Sequence, residues 1–587
     1  ADNVYYMWDE STNSVVQAPG TGRADKPFGR DRRKYGTLEL GEIKPSLEGR
    51  WIVDTLDGEV EVTTVFELLK EESENYKPET ASEITGVSAK AIEKTAKIFA
   101  DADPGMIYAG YASCKWLHGD LLQRAMLLLL ALTGSTGKEG GGLQIANSPN
   151  ARGLTQFGFS DVGPAFRLIS STTWDYDHAD MKELNQKIYG NDLAEKFDRY
   201  YKKSIEEDWF PDYSKNGWKM GFFAGNNGAN WRATGSTWRK TAFEELETIV
   251  SLAPDMGVTS LYSDYVLPIA HHYERNDLML QSRVPYLQVL NEAVPPLGEA
   301  VDDWEANRRL AEAISRRAKE RNIKPIQDAV DGRTVRRDYT KTLELYTMGG
   351  RVNNSKDVAQ FIINASHGIP KISFEELSQK GIVKVEGVES TMWEKDESPY
   401  HNEIVKSVKK KLPYETFTGR QQFYIDHEWF IEFGETLPTF KEPLKIDEFP
   451  LRMMMGHARH GIHSTWRDDS FLLSLQRGEP DIYVNPDDAT NRGVQDGDMI
   501  RVYNTAGEFF AMAHVSSGIQ PGMLFMYHGW DPKMFKGDKN FSEVIPTGGL
   551  IKPTSMAGDY GHLGYQPLAF APNQTYKDFT CDFEKSA

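Results

Sequence analysis

Twice in this chain a short apolar run opens straight onto a loop that begins with glycine and leads into a helix-forming stretch. In the first, Met106 to Ala109 reads as a buried strand and Gly110 opens a loop that runs to Gly119. Asp120 can cap a helix with Leu121, Leu122, Ala125, Leu128, Leu129 and Leu132 on its buried side, and Gly134 ends it. Upstream, Ser88 can cap a helix with Ala91, Ile92, Ala96 and Phe99 at helical spacing, stopped by Asp103-Pro104-Gly105. In the second, Phe222 to Ala224 is a strand into the loop Gly225 to Trp231, followed by a helix near Trp238 to Thr248. The strand Ile249 to Leu252, the loop Asp255 to Thr259 and the run Leu261 to Pro268 come next. Units of this kind build a parallel doubly wound sheet, whose ligands sit outside the carboxyl ends of the strands. From about Phe449 the pattern changes to short strands at 482–484, 499–503, 509–515 and 523–527 with tight turns between them, which reads as a small barrel. Arg316 to Tyr414 is charged and poorly periodic and reads as connecting and surface structure.

Composition narrows the function. With 67 Lys and Arg against 86 Asp and Glu, the 587-residue chain carries −19, the wrong sign for a nucleic-acid binder. Two Cys cannot form a disulfide framework or an iron–sulfur cluster. The longest apolar run, Ala125 to Leu132, is far short of the ~18 residues that span a membrane.

Several motifs have plain readings. Gly134 to Glu139 resembles a phosphate loop, but Leu132 stands where its first Gly belongs and Glu139 where Ser or Thr would hold Mg²⁺, so a helix end followed by a glycine turn fits better. His457, His460 and His463 are spaced three and three, unlike the i, i+4 pair of zinc proteases, and no acidic ligand stands among them. This argues against a metal and for a polar, oxygen- and nitrogen-rich ligand. Cys114 reads as a small hydrophobe more readily than as a soft-metal ligand. Lys115 and His118 precede a helix N-terminus, where they suit an anion such as a pyrophosphate or stand as a solvated Lys and a core His. Asn226, Asn227 and Asn230 either turn the chain or read a ribose or base edge. Two such strand-end loops suggest a ligand with two nucleotide ends.

Several runs together resemble the molybdopterin oxidoreductases. They are Leu132 to Gly142, Tyr262 to Pro268 followed by Tyr273-Glu274-Arg275, Thr418 to His427, Gly461 to Thr465, Asn485 to Ala489 with Gly493 to Asp498, and Lys552 to Leu563. Their order across nearly the whole chain is most similar to type II of the dimethyl sulfoxide reductase family. The resemblance implies an α/β fold of parallel doubly wound units followed by a small C-terminal β-barrel of double-psi type. It implies a bis(molybdopterin guanine dinucleotide) molybdenum cofactor. The implied contacts are Gly110, Ser113, Gly225, Asn226, Asn227, Trp231, Asp255, Thr259, Asp264, His457, His460, Gly461, His463, Ser464, Thr465, His528 and His562. Lys115 and His118 are the candidates for reaching the substrate pocket. Where the family reads guanine with Asp, eleven residues before Asp264, this chain has Ala253, and Asp255 is the candidate replacement.

The family's [4Fe-4S] cluster motif and the branch's Asp ligand to molybdenum are both missing, and Trp8-Asp9-Glu10 matches a point well inside the family chain. The sequence therefore reads as the C-terminal portion of a catalytic subunit, with no metal ligand of its own. Its expected divisions are a leading segment (1–79), half of a first α/β cofactor domain (80–165), a second α/β cofactor domain with an insertion (166–345), a connecting region (346–440) and a pterin-binding barrel (441–587). Implied partners are an iron–sulfur beta subunit, with a haem-binding gamma subunit as a further one, and a small-molecule substrate, in the periplasm or, if nitrate-reductase-like, on the cytoplasmic face of the membrane. The expected reaction is water-dependent hydroxylation of a hydrocarbon. Reduction of an oxyanion (nitrate, selenate, chlorate or perchlorate) is the first alternative, a sugar-active hydrolase the alternative from another class, and a non-catalytic scaffold a third.

Overall fold

A computed structural model describes residues 5–20, 36–110, 115–116, 118–138, 140–144, 181–206, 219–231, 235–280, 286–330, 333–366, 369–385, 407–414, 419–425, 430–431, 433–443, 448–475, 478–545 and 577–586. Two antiparallel hairpins lead, β1 (Tyr6–Asp9) with β2 (Ser14–Gln17) and β3 (Arg50–Thr55) with β4 (Gly58–Thr63). Trp8 and Trp51 stack across them with ring centroids 4.7 Å apart.

The first α/β unit follows the sequence pattern closely. Ser88 caps the helix Ala89–Asp101 through its hydroxyl, β5 (Met106–Tyr108) pairs in parallel with β6 (Gly142–Gln144), and the apolar helix Gly119–Leu132 connects them. Two details differ. His118, not Asp120, occupies the N-cap position, and Asp120 lies in the first turn, where its charge still favours the helix dipole. Strand β5 is also less buried than its composition suggests. Among the described residues two strands pair here, and Met106 and Tyr108 on one face, with Leu122, Leu129 and Leu132 on the helix, remain exposed.

The second unit is a parallel three-stranded sheet, β7 (Met220–Ala224), β8 (Thr248–Ala253) and β9 (Tyr265–Pro268), with β8 central. Strand β8 is buried along its middle, as a near-continuous apolar run demands. The helix expected near Trp238 to Thr248 is Gly235–Thr241, because Thr248 already belongs to β8.

The stretch read as connecting structure is more ordered than its charge suggests. It takes in the last turn of the helix Asp303–Glu320, the helices Ser355–Ala365 and Phe374–Lys380 and the hairpin β12 (Ile326–Val330) and β13 (Arg333–Arg337). Its strand β14 (Ile382–Lys384) joins β10 (Asp277–Leu280) and β11 (Tyr286–Leu290), which precede the stretch, in a sheet over a small core of Leu287, Ile363, Ile369, Ile372, Leu377 and Val385. Its apolar residues are few but converge from three separate elements.

The C-terminal region closes into a six-stranded barrel, in the order β15 (Leu451–Gly456), β19 (Met523–Tyr527), β16 (Asp481–Val484), β18 (Glu508–Val515), β17 (Met499–Tyr503) and β20 (Thr580–Lys585). Pairs β15/β19 and β16/β18 are parallel, and β20 pairs back onto β15. Inward residues alternate with outward ones, and Phe509, Phe579, Phe583 and Cys581 fill the inside. Burial pushes the Cys581 thiol far above its ordinary range, so it behaves as a hydrophobe.

Candidate functional site

The carboxyl ends of β7 and β8 face one end of the barrel, and one buried guanidinium joins them. Strand β7 runs into a turn at Gly225 and the single helical turn Gly228–Trp231, and β8 into the turn Val258–Leu261. Asn227 clips these loops together. Its Oδ1 accepts from Thr259 N at 3.0 Å and from Thr259 Oγ1 at 3.2 Å, while its Nδ2 donates to Ser464 Oγ of the barrel loop at 3.2 Å. Asn230 Nδ2 donates to Asp531 Oδ1 at 3.1 Å, and Asn540 Nδ2 donates to Asn230 Oδ1 at 2.8 Å.

Arg467 is the centre of this seam. Its Nε donates to Asp531, its Nη1 to Asp255 Oδ2 at 3.0 Å and to Ser464 O at 2.9 Å, and its Nη2 to Met256 O at 3.2 Å. The side chains of Arg467 and Asp531 are almost fully buried. Burial works against the guanidinium charge, but Asp531 and Asp255 outweigh it and hold the group ionised. Further along the seam, Ser236 N and Oγ donate to the carboxylate of Glu543 at 2.9 and 2.5 Å.

Three imidazoles gather where β15 and β19 end. His457 follows β15, His528 follows β19, and His463 comes from the loop between. Ring centroids lie 4.5 Å apart for His457 and His528, 4.8 Å for His457 and His463, and 5.3 Å for His463 and His528. His528 Nδ1 donates to Gly456 O at 2.6 Å, because a carbonyl can only accept. Its Nε2 is then the acceptor for His463 Nδ1 at 3.1 Å. Burial pushes the His528 pKa down to about 4, and the neighbouring His457 adds to the shift. Burial, with His463 next in weight, lowers that of His457. His463 takes φ +53° and Trp466 φ +63°, unusual for residues with side chains. Gly529 lies so close that a Cβ there would stand 2.0 Å from His463 O.

Lysines border the imidazoles. Lys577 acts electrostatically on His457 and His528 and is itself lowered by burial, then by Lys115. Its N–H donates to Lys115 O at 3.1 Å, which brings the loop after β5 to the barrel. His118 faces elsewhere. Its Nδ1 lies 3.6 Å from Glu435 Oε1, and Lys441 Nζ lies 3.0 Å from the same oxygen. Arg124 anchors that segment by donating to Glu435 O at 2.6 Å and Thr436 O at 2.7 Å.

The structure therefore brings together Gly225, Asn226, Asn227, Trp231, Asp255 and Thr259 from the second unit, and His457, Gly461, His463, Ser464, Thr465 and His528 from the barrel. Asn226 Oδ1 accepts from the Trp231 indole at 3.2 Å, and Thr259 is buried among its loop partners. His460 shares the loop but stands outside the imidazole trio. Asp264 is not brought to this face. Its Oδ2 accepts from Ile249 N at 2.7 Å, at the amino end of the sheet, because β9 begins one residue later. Ser113, Cys114 and His562 lie outside the described residues. Sequence reasoning missed Arg467, Asp531 and Gly529, none of which carries a local signal. It argued against a metal from the spacing of His457, His460 and His463; in the structure His457 and His463 are joined not by His460 but by His528, which comes from the end of another strand.

A cradle of strand-end loops closed by a barrel loop is the form of a dinucleotide-cofactor protein. A family model described as molybdopterin oxidoreductase matches residues 60–313, and one described as molydopterin dinucleotide binding domain matches residues 451–555. The chain belongs to the molybdopterin oxidoreductases, in type II of the dimethyl sulfoxide reductase family.

Among its relatives, the perchlorate reductase alpha subunit of Dechloromonas aromatica is 33% identical over 99% of this chain and 63% of its own length. The dimethylsulfide dehydrogenase alpha subunit of Rhodovulum sulfidophilum is 31% identical over 100% and 63%. The respiratory nitrate reductase alpha subunit of Haloferax mediterranei is 32% identical over 98% and 60%. The chain thus spans somewhat less than two thirds of these relatives. Acetylene hydratase from Pelobacter acetylenicus shares the fold, with a TM-score of 0.57 and 18% identity over 89% of this chain and 66% of that one.

The residues present fit the molybdopterin dinucleotide that the family implies. The seam offers imidazoles, amides and hydroxyls to a heterocycle rich in nitrogen and oxygen. Lys115 and Lys577 offer local positive charge to phosphates in a chain of net charge −19.

Proposed function

We propose that this chain forms the cofactor cradle of the catalytic alpha subunit of a molybdenum oxidoreductase that reduces an oxyanion of the perchlorate, chlorate or nitrate class. The observation that carries the reading is the set of relatives: perchlorate, nitrate and chlorate reductase alpha subunits match at 33%, 32% and 30% identity along almost the whole chain. They favour oxyanion reduction over the hydrocarbon hydroxylation expected from the sequence. Lys577 beside the imidazole trio, with Lys115 next to it, supports the same choice, since an anionic substrate needs local cations.

The molybdenum cofactor, when bound, supplies the two-electron chemistry. The chain's residues supply the rest. Asn227, Ser464 and Arg467 hold the loops in register, the imidazoles line the pterin side of the cradle, and Lys115 and Lys577 bias it toward anions. Ser113, His460 and His562 are assigned to the cofactor and His118 to the pocket on the resemblance alone. The parallel pairs β15/β19 and β16/β18 suit the double-psi reading of the barrel.

The same reading supplies an iron–sulfur beta subunit as partner, a haem-binding gamma subunit as a further one, and a periplasmic setting. Among the described residues no helix is long and apolar enough to cross a membrane. The test is a substrate panel on molybdenum-loaded protein containing this chain. Turnover of perchlorate, chlorate or nitrate with a reduced dye supports the proposal. Turnover confined to dimethyl sulfide or ethylbenzene with an oxidised dye refutes it.

A further inference from the structure

The imidazole trio has a second capacity that a pterin cradle does not require. The candidate ligand nitrogens of His457, His463 and His528 all lie within 4.8 Å of one another. Three imidazoles on one tetrahedral zinc-like ion, at Zn–N of about 2.0–2.1 Å, stand about 3.3–3.4 Å apart. His463 Nδ1 and His528 Nε2 stand 3.1 Å apart as a hydrogen-bonded pair, close to that spacing, and both can ligate once the His463 proton shifts from Nδ1 to Nε2. His457 and His463 are exposed, so their rings can turn to close the remainder.

One ligand is oriented in advance. His528 Nδ1 donates to Gly456 O at 2.6 Å, the outer-shell bond that fixes a metal-binding histidine's tautomer and turns the lone pair of Nε2 toward the site. Gly529 packs against the His463 carbonyl and holds its loop in place.

We propose that His457, His463 and His528 form a three-imidazole site for a borderline-soft divalent transition cation of the zinc class, with a fourth position open to water. Imidazole without carboxylate selects zinc, nickel or copper over calcium or magnesium. The Lys577 ammonium, which acts on His457 and His528, opposes the bound charge and weakens the site. The inference rests on the proposed function in one respect, that the pterin contacts the same rings. The ion then belongs to the cofactor-free chain and competes with cofactor insertion.

The experiment titrates cofactor-free protein containing this chain with Zn²⁺ by calorimetry and with Co²⁺ by visible absorption. The site predicts one ion per chain, a tetrahedral Co²⁺ spectrum, and at least tenfold weaker binding in each of His457→Ala, His463→Ala and His528→Ala. His514→Gln, in the barrel but outside the trio, should leave binding unchanged. Because a truncated ring could disturb the loop, His463→Gln is read alongside and must weaken binding too. Binding that none of these substitutions weakens, or an octahedral Co²⁺ spectrum, overturns the site. In cofactor-loaded protein, exclusion of Zn²⁺ supports shared occupancy. Equal binding there refutes the pterin contact and leaves the metal site standing.

Discussion

Arg467 Nη1 of the barrel region lies 3.0 Å from Asp255 Oδ2 of the second α/β unit, and the same guanidinium donates to buried Asp531. Asp255 was the candidate to replace a guanine-reading Asp, and the structure engages its carboxylate in this ion pair. The arrangement makes Arg467 the residue that keeps the two halves of the cradle in register. Truncation would leave Asp531, 0% exposed, with the Asn230 amide and the more distant Lys533 ammonium at 3.9 Å in place of its close guanidinium partner. Arg467→Ala is expected to cost about 3–5 kcal/mol by denaturant unfolding. Arg467→Lys keeps the charge but loses the fork, and should lower cofactor retention more than it lowers stability.

Gly529 tests the packing of the imidazole loop. A Cβ there would meet His463 O at 2.0 Å, backbone against backbone, and φ is +106°. Gly529→Ala should therefore displace His463 and cost about 1–3 kcal/mol or more. Cofactor content and unfolding midpoint should fall together, and an unchanged midpoint would show that the loop relaxes freely.

Lys115 should matter to the pocket rather than to the fold. Its backbone carbonyl holds Lys577, so Lys115→Ala preserves that hydrogen bond while removing the side-chain cation. Stability should change by no more than about 0.5 kcal/mol. KM for an oxyanion should rise. Unchanged turnover and unchanged molybdenum content in this variant would remove Lys115 from the account.

Glu435 is the reciprocal case. Its side chain is 1% exposed, with Lys441 Nζ at 3.0 Å and His118 Nδ1 at 3.6 Å. Glu435→Gln keeps the shape but removes the charge. Lys441 is partly exposed and can turn to water, so the expected cost is about 1–3 kcal/mol by urea unfolding rather than the full penalty of a broken buried pair.

Much of this architecture is legible where local chemistry decides it. The Ser88 cap, the strands β7 and β8 and four barrel strands follow from spacing and turn residues alone. Strands β15 and β20, which close the barrel, escape such reading. Leu451–Gly456 is rich in Met rather than β-branched residues, and Thr580–Lys585 alternates with charge. The site divides in the same way. The strand-end loops announce themselves through Gly and Asn. Arg467 does not, because its partners Asp531 and Asp255 stand 64 and 212 residues away. His457 and His528 meet because β15 and β19 run parallel side by side, which spacing along the chain cannot reveal.

The most direct test of the central claim is reoxidation of the molybdenum-loaded protein containing this chain. Protein reduced with dithionite and freed of excess reductant is mixed with chlorate or nitrate, and its optical spectrum is followed in a stopped-flow instrument. The account predicts reoxidation whose rate rises with oxyanion concentration, with the reduced oxyanion formed in proportion. A protein that stays reduced under every oxyanion tested, yet whose oxidised form is reduced by dimethyl sulfide or ethylbenzene, would contradict it.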